Sequence, residues 1–168
     1  MIKKVQHLKL FNWRADEEKF YGKALFYTML AAVSFLFIFL MCYCTNPIAG
    51  YNGSDSGFFI AVGQGMVKGY MPYRDYFDMK GPYLFFIEYI GQLISYGRLG
   101  VFLVECLNLF LIIAVITVIL SKNGITNRLV ELLMIISCLW IAGGAFSGGN
   151  LTEEYSLLPL FISLMVYL

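Results

Sequence analysis

The run from Ala24 to Cys44 constrains the fold more than any other feature, because it holds about 20 consecutive residues without a charge. A helix of that length, rising about 1.5 Å per residue, crosses a hydrocarbon core of about 30 Å. Apolar residues fill 60% of the 168 positions and charged residues only 14%, whereas about a quarter of a soluble domain is charged. The sequence therefore predicts an all-α integral membrane protein.

Further apolar runs predict a multi-span helical bundle, with spans at about 24–44, 101–120 and 129–145 and the start of another from 157. Six cations in the tail 1–23 indicate a cytoplasmic N-terminus, because lysine and arginine concentrate on the inner side of membranes. Lys122 and Arg128 then fall on the same side. The predicted outer loops are 45–97 and 146–156. We interpret the chain 1–168 as the N-terminal part of a single membrane domain.

The first outer loop contains two segments that are apolar but poorly suited to crossing a membrane. Ser56–Gly69 mixes apolar residues with Gln64, Lys68 and glycines, and Pro82–Tyr96 is short and contains Glu88. We predict that both are interfacial, juxtamembrane helices. If 82–96 were a span, the basic turn after residue 121 would face outward, against the positive-inside rule.

Charges crowd the same loop, and each has two interpretations. Asp55 is a candidate general base or the N-cap of a helix starting at Ser56. In the segment around Lys80, the lysine is a candidate ligand for a lipid phosphate and the acids are candidates for orienting it or binding a cation. Alternatively, these residues form a surface ion network that contributes little to stability. Its candidate residues are Tyr73, Arg74, Asp75, Asp78 and Lys80. A divalent metal is compatible with these acids, and no other cofactor is indicated.

The second outer loop carries two adjacent acids, Glu153 and Glu154, directly after Thr152. Thr152 is a candidate N-cap, in which case the acids simply favour the helix dipole; otherwise they belong to a site. Within the spans, Glu105 and Asn108 are predicted to face the protein interior.

Other features narrow the function further. The four cysteines, all in apolar runs, are interpreted as packing residues. One histidine, His7, excludes a histidine-based zinc or triad site in this segment. A net charge of +1 without a basic patch argues against nucleic acid as a partner.

The sequence from Asp55 to Ile94 resembles the first extracytoplasmic loop of the class C (GT-C) membrane glycosyltransferases, which include protein mannosyltransferase-like and aminoarabinose transferase-like members. The matching features are an acid soon after the first span, an amphipathic helix, Gly69-Tyr70-Met71-Pro72-Tyr73-Arg74-Asp75 and Asp78-Met79-Lys80-Gly81-Pro82. The later GGNLTEEYSLLPL is similar to the second outer loop of bacterial members. The resemblance covers about 110 residues.

The resemblance implies an enzyme of the bacterial plasma membrane that moves a sugar from a polyprenyl phosphate to an acceptor hydroxyl of a cell-envelope glycan, lipid or protein. Asp55 matches the catalytic base, Lys80 a residue near the lipid phosphate, and Glu153 or Glu154 a second acid. Ser56 stands where many members have a paired acid. A transporter or flippase segment, and an inactive truncated accessory protein, are the alternatives.

Overall fold

The structure, a computed structural model, describes residues 2–49, 53–146 and 148–168, without the side chains of 2–20, 54 and 145. His7 and most of the tail's cations therefore lie outside the described side chains. The described residues form α-helices and one 3-10 turn, Gly143–Phe146, with no strand among them. The helices are α1 Ile2–Met41, α2 Ser54–Val67, α3 Pro82–Ile94, α4 Arg98–Lys122, α5 Arg128–Ala142 and α6 Thr152–Tyr167.

Among the residues that the structure describes, two helical segments are long and apolar enough to cross a membrane, namely Tyr21–Met41 within α1 and all of α4. They coincide with the first two predicted spans. The other two predicted spans form shorter helices, because α5 has 15 residues and α6 has 16. The predicted all-helical fold is thus confirmed, and membrane crossing is supported by length and composition for α1 and α4.

The first helix ends earlier than the predicted span of about 24–44, because α1 stops at Met41. Asn46 folds back, and its Nδ2 donates to the Phe39 carbonyl at 2.8 Å. Its Oδ1 accepts from the backbone N–H of Ile48 at 2.8 Å. The Asn46 side chain thus satisfies a carbonyl that the end of the helix leaves unpaired. The chain therefore turns before it reaches Pro47.

The two short helices predicted in the first loop are present as α2 and α3, and Pro82 occupies the first turn of α3 as predicted. They pack closely because Gly63 carries no side chain, and a Cβ there would lie 3.0 Å from the Glu88 backbone. Apolar side chains from α2, α3 and α6 form their shared core, namely Phe59, Val62, Leu84, Phe85, Ile87 and Tyr155. The beginnings of α4 and α6 therefore meet this pair of helices.

A second core joins α1, α4 and α5 and includes Leu30, Ile38, Leu109, Ile113 and Ile135. At the C-terminal end of α4, the buried Glu131 pairs with Arg128 at 2.6 Å and accepts from Ser121 Oγ at 3.2 Å. The Arg128 guanidinium also lies 4.8 Å from the centre of the Phe26 ring. These contacts fasten the three helices at the end remote from α2 and α3.

Candidate functional site

Three glutamates from three helices are buried at the end of the bundle that contacts α2 and α3. Glu88 of α3 and Glu105 of α4 are 0% exposed, and Glu154 of α6 is 5% exposed. Among the described side chains, the ion pairs are Arg74–Asp75 and Arg128–Glu131, and neither involves these glutamates. Because a buried carboxylate is costly without a partner, this cluster of three glutamates is a candidate functional site.

Asn150 connects the cluster. Its backbone N–H donates to Glu105 Oε1 at 2.5 Å and to Glu154 Oε2 at 3.1 Å. Its Nδ2 donates to Ser56 Oγ at 3.1 Å, and its Oδ1 accepts from the Tyr155 hydroxyl at 3.0 Å. One residue between α5 and α6 therefore links α2, α4 and α6.

The turn that presents Asn150 is left-handed at three successive positions, with φ of 94° at Gly148, 89° at Gly149 and 61° at Asn150. Gly149 is also crowded: a Cβ there would lie 2.8 Å from both Cys42 Sγ and Glu105 Oε1. Only glycine combines that φ with that lack of space at no steric cost. The Gly148-Gly149-Asn150 sequence is thus what lets the backbone approach Glu105.

The chain after α1 completes the surroundings of Glu105. Thr45 Oγ1 donates to Glu105 Oε2, and the backbone N–H of Cys44 donates to the Gly148 carbonyl at 2.9 Å. Asn108, one turn after Glu105 on α4, directs its Nδ2 to the Glu154 carbonyl at 3.4 Å. The prediction that Glu105 and Asn108 face the interior is confirmed.

Some polar atoms in this region lack a hydrogen-bond partner among the described residues. They are both carboxylate oxygens of Glu88, Glu154 Oε1 and Thr152 Oγ1. Burial raises the pKa of Glu88 to about 8, a shift that the nearby Asn150 side chain opposes. Burial likewise raises the pKa of Glu154 to about 7. Carboxyl pKa values raised by burial are typical of functional sites.

The two acids of the second loop differ in position. Glu154 enters the cluster, whereas Glu153 is exposed. The prediction that Thr152 caps α6 was wrong, because Leu151 is the N-cap residue and no side chain caps it. Glu154 instead accepts the N–H of Asn150, and Thr152 Oγ1 has no hydrogen-bond partner among the described residues.

Asp55 lies in the first turn of α2 and is exposed. The prediction that it caps a helix starting at Ser56 was wrong: the helix begins at Ser54, and Gly53 is the N-cap. A carboxylate in the first turn still favours the helix dipole. The next residue, Ser56, is buried and accepts from Asn150, so Asp55 is one residue from the cluster's hydrogen bonds.

The other predicted site residues form an exposed loop between α2 and α3. Arg74 pairs with its neighbour Asp75 at 2.6 Å, which fits a surface ion network. Tyr73, with φ of 67°, donates its hydroxyl to the Lys80 carbonyl at 2.6 Å. The contact between Lys80 and Asp78 uses the lysine's backbone N–H, at 3.3 Å, rather than its ammonium.

Sequence reasoning did not group Glu88, Asn150, Thr45 and Cys42 with the site. An acid inside a short apolar helix was a usable signal for Glu88, since such groups are seldom placed there without a role. The Gly-Gly-Asn turn was a signal for a close backbone approach. The spatial meeting of four separate segments left no pattern in the sequence.

Comparison of the chain with protein-family models, curated proteins and solved structures found no match.

Proposed function

We propose that the protein is a glycosyltransferase that moves a sugar from a polyprenyl-phosphate donor to an acceptor hydroxyl on the extracytoplasmic face, as part of a multi-span bundle in a bacterial plasma membrane. In this proposal the N-terminus is cytoplasmic, and α2 and α3 lie along the outer membrane surface. The activity would reside at the end of the bundle that holds the glutamate cluster.

One observation carries the proposal: the hydrogen bond from Asn150 Nδ2 to Ser56 Oγ joins the start of α2 to the start of α6. Asp55 stands beside Ser56, and Glu153 and Glu154 follow Asn150 within a helical turn. The two loops predicted to lie outside therefore contact each other next to these acids, as one site shared by both loops would require. An exposed carboxylate beside a buried polar cluster can serve as a base for an acceptor hydroxyl.

In the proposed reaction, Asp55 takes the proton of the acceptor hydroxyl while that oxygen bonds to the anomeric carbon of the sugar. The bond between that carbon and the phosphate oxygen breaks, and polyprenyl phosphate leaves with the electron pair. Of the two acids on α6, Glu154 is the one that contacts the cluster, so we assign it the role of orienting the site around Asn150.

The loop before α3 suits a lipid-linked donor. Lys80 offers an ammonium for the phosphate, and Tyr73 and Asp78 hold its backbone. Phe77 and Met79 are 89% and 93% exposed, and apolar side chains beside charges are typical of segments that sit in a membrane interface. Arg74 is already paired with Asp75, which leaves Lys80 as the main phosphate ligand in this proposal.

The test compares purified wild-type full chain with Asp55→Asn, using a panel of polyprenyl-phosphate sugars and following release of polyprenyl phosphate. Loss of the base is expected to lower transfer by about a hundredfold or more. Lys68→Gln, at the other end of α2, is the matched control and is expected to retain transfer. Transfer by Asp55→Asn within a few-fold of wild type would rule out Asp55 as the base.

Transport is a second candidate function, because three buried glutamates without a described cation also suit a proton or substrate pathway. Reconstitution of the full chain in liposomes separates the two functions. Proton flux or lipid flipping that is lost in Glu105→Gln, without any sugar transfer, would favour transport. A chain that does neither would fit the accessory protein considered from the sequence.

A further inference from the structure

Three potential metal-ligating atoms converge in the interior of the cluster. Cys42 Sγ and one carboxylate oxygen each from Glu105 and Glu154 all lie within 4.8 Å of one another. They come from the end of α1, from α4 and from α6, and all three residues are buried. Ligand atoms around a four-coordinate zinc ion are separated by about 3.3–3.8 Å, given its bond lengths, so atoms within 4.8 Å of one another are already close to that spacing.

An independent observation points to a ligand at this place. Glu154 Oε1 is buried and has no hydrogen-bond partner among the described residues. The other carboxylate oxygens are already held: Thr45 and the Asn150 N–H donate to Glu105, and Asn150 also donates to Glu154. Hydrogen bonds of this kind orient carboxylate ligands around a metal, and they leave Glu154 Oε1 available to bind one.

The charge of the cluster also favours a cation. No described lysine or arginine pairs with Glu88, Glu105 or Glu154, so their negative charge is unbalanced whenever they ionise. A divalent ion compensates most of the negative charge of two carboxylates and a thiolate, which burial without a cation leaves uncompensated.

We propose that Cys42, Glu105 and Glu154 bind one zinc ion that ties together the end of α1, α4 and α6. The sulfur ligand favours zinc over magnesium and calcium, which prefer oxygen ligands only. Three protein ligands leave a fourth position for water or a substrate oxygen, as in many zinc sites with chemical roles. The proposal goes beyond sugar transfer, since the ion would bind whether or not Asp55 is the base.

The test is the zinc content of the purified full chain, dialysed without chelator and measured by mass spectrometry. Wild type is expected to hold about one zinc per chain. Cys42→Ser and Glu154→Gln are each expected to hold a small fraction of that. The control is Cys44→Ser, which changes a buried cysteine outside the ligand set and is expected to keep the ion. A zinc-free wild type, or full zinc in both ligand variants, would overturn the proposal.

A second measurement uses the wild-type protein and so does not depend on how the variants fold. Cobalt(II) added to chelator-treated protein should give thiolate-to-metal charge-transfer absorption, because the ion binds a cysteine sulfur. The absorption should disappear when zinc is added in equal amount. Cobalt binding without this absorption would show that Cys42 is not a ligand and would contradict the site as proposed.

Discussion

Glu131 of α5 and Glu105 of α4 are both fully buried, yet their surroundings differ. Glu131, near the end of α4, pairs with Arg128 and accepts from Ser121. Glu105 lies about 24 Å away along the α4 axis and faces Glu154, Cys42 and the Asn150 N–H. The first end balances its buried charge with a guanidinium, whereas the second has no described cation.

The difference separates a structural ion pair from a candidate site. A buried carboxylate that has its own arginine is satisfied within the fold. Buried carboxylates that lie together without a cation must either be protonated or bind a cation. Both states are typical of sites that exchange protons or ligands. The contrast is therefore the strongest structural reason to place function at the Glu105 end.

Among single substitutions compared at one pH, the largest effect is expected from Gly149→Ala, which tests how tightly the Glu105 end is packed. The new Cβ would meet Cys42 Sγ and Glu105 Oε1 at 2.8 Å, at a φ of 89°. We expect the free energy of unfolding in mixed micelles to fall by about 3 kcal/mol. Gly144→Ala, which has open space, is the control, with an expected change under about 1 kcal/mol. Equal effects of the two changes would contradict this description.

Arg128→Met tests the other end by leaving Glu131 buried without its cation. A fully buried pair loses roughly 3–5 kcal/mol in this way; we expect about 2 kcal/mol here, because the Arg128 side chain is 48% exposed. The double variant Arg128→Met/Glu131→Gln should recover most of the loss in the same unfolding assay. With chelator present, Glu105→Gln removes no ion pair, so it should lower the free energy of unfolding by less than Arg128→Met does. A larger loss from Glu105→Gln would reverse the comparison.

The pH dependence of the free energy of unfolding is a further test of the difference between the Glu131 end and the Glu105 end. Burial raises the pKa of Glu88 from 4.5 to about 8, so the native carboxyl binds its proton more tightly than the unfolded one. The resulting stabilisation is complete below about pH 4 and is lost as the pH rises toward 8. The slope is about 1.4 kcal/mol per pH unit for one proton.

Unfolding measured from pH 5 to 9 with a chelator present tests this expectation, since Glu105 and Glu154 lie near Glu88 and metal binding would alter their charge. Glu88→Gln should reduce the slope. Leu93→Ala, on the exposed side of the same helix, carries no titratable group and should leave the slope as in wild type. An unchanged slope in Glu88→Gln would show that this carboxyl does not titrate in the window.

The smallest effect is expected from Arg74→Ala, because the Arg74–Asp75 pair is on the surface, where water screens it. We expect no measurable change in the unfolding midpoint. A clear loss of stability would mean that the loop before α3 contributes to the fold as strongly as the Arg128–Glu131 pair, and the contrast between surface and buried pairs would not hold.

Much of the helical framework could be predicted from the sequence. Long apolar runs indicated α1 and α4, and Pro82 indicated the start of α3, because these signals act locally along the chain. The inward-facing Glu105 and Asn108 followed from the cost of polar groups on an apolar helix. The expected caps at Asp55 and Thr152 were wrong, because Gly53 and Leu151 are the N-cap residues of α2 and α6.

By itself, the sequence determined that the chain forms apolar helices and that polar residues within them must turn inward, because hydrophobic burial and backbone hydrogen bonding follow from local composition. Only the tertiary structure decided which acids meet. Glu88, Glu105 and Glu154 are far apart along the chain. Glu105 and Glu154 come together because both accept the N–H of Asn150, and Glu88 joins them because α3 packs against α2 and α4. Local sequence does not encode such a junction, since it depends on how separate helices pack.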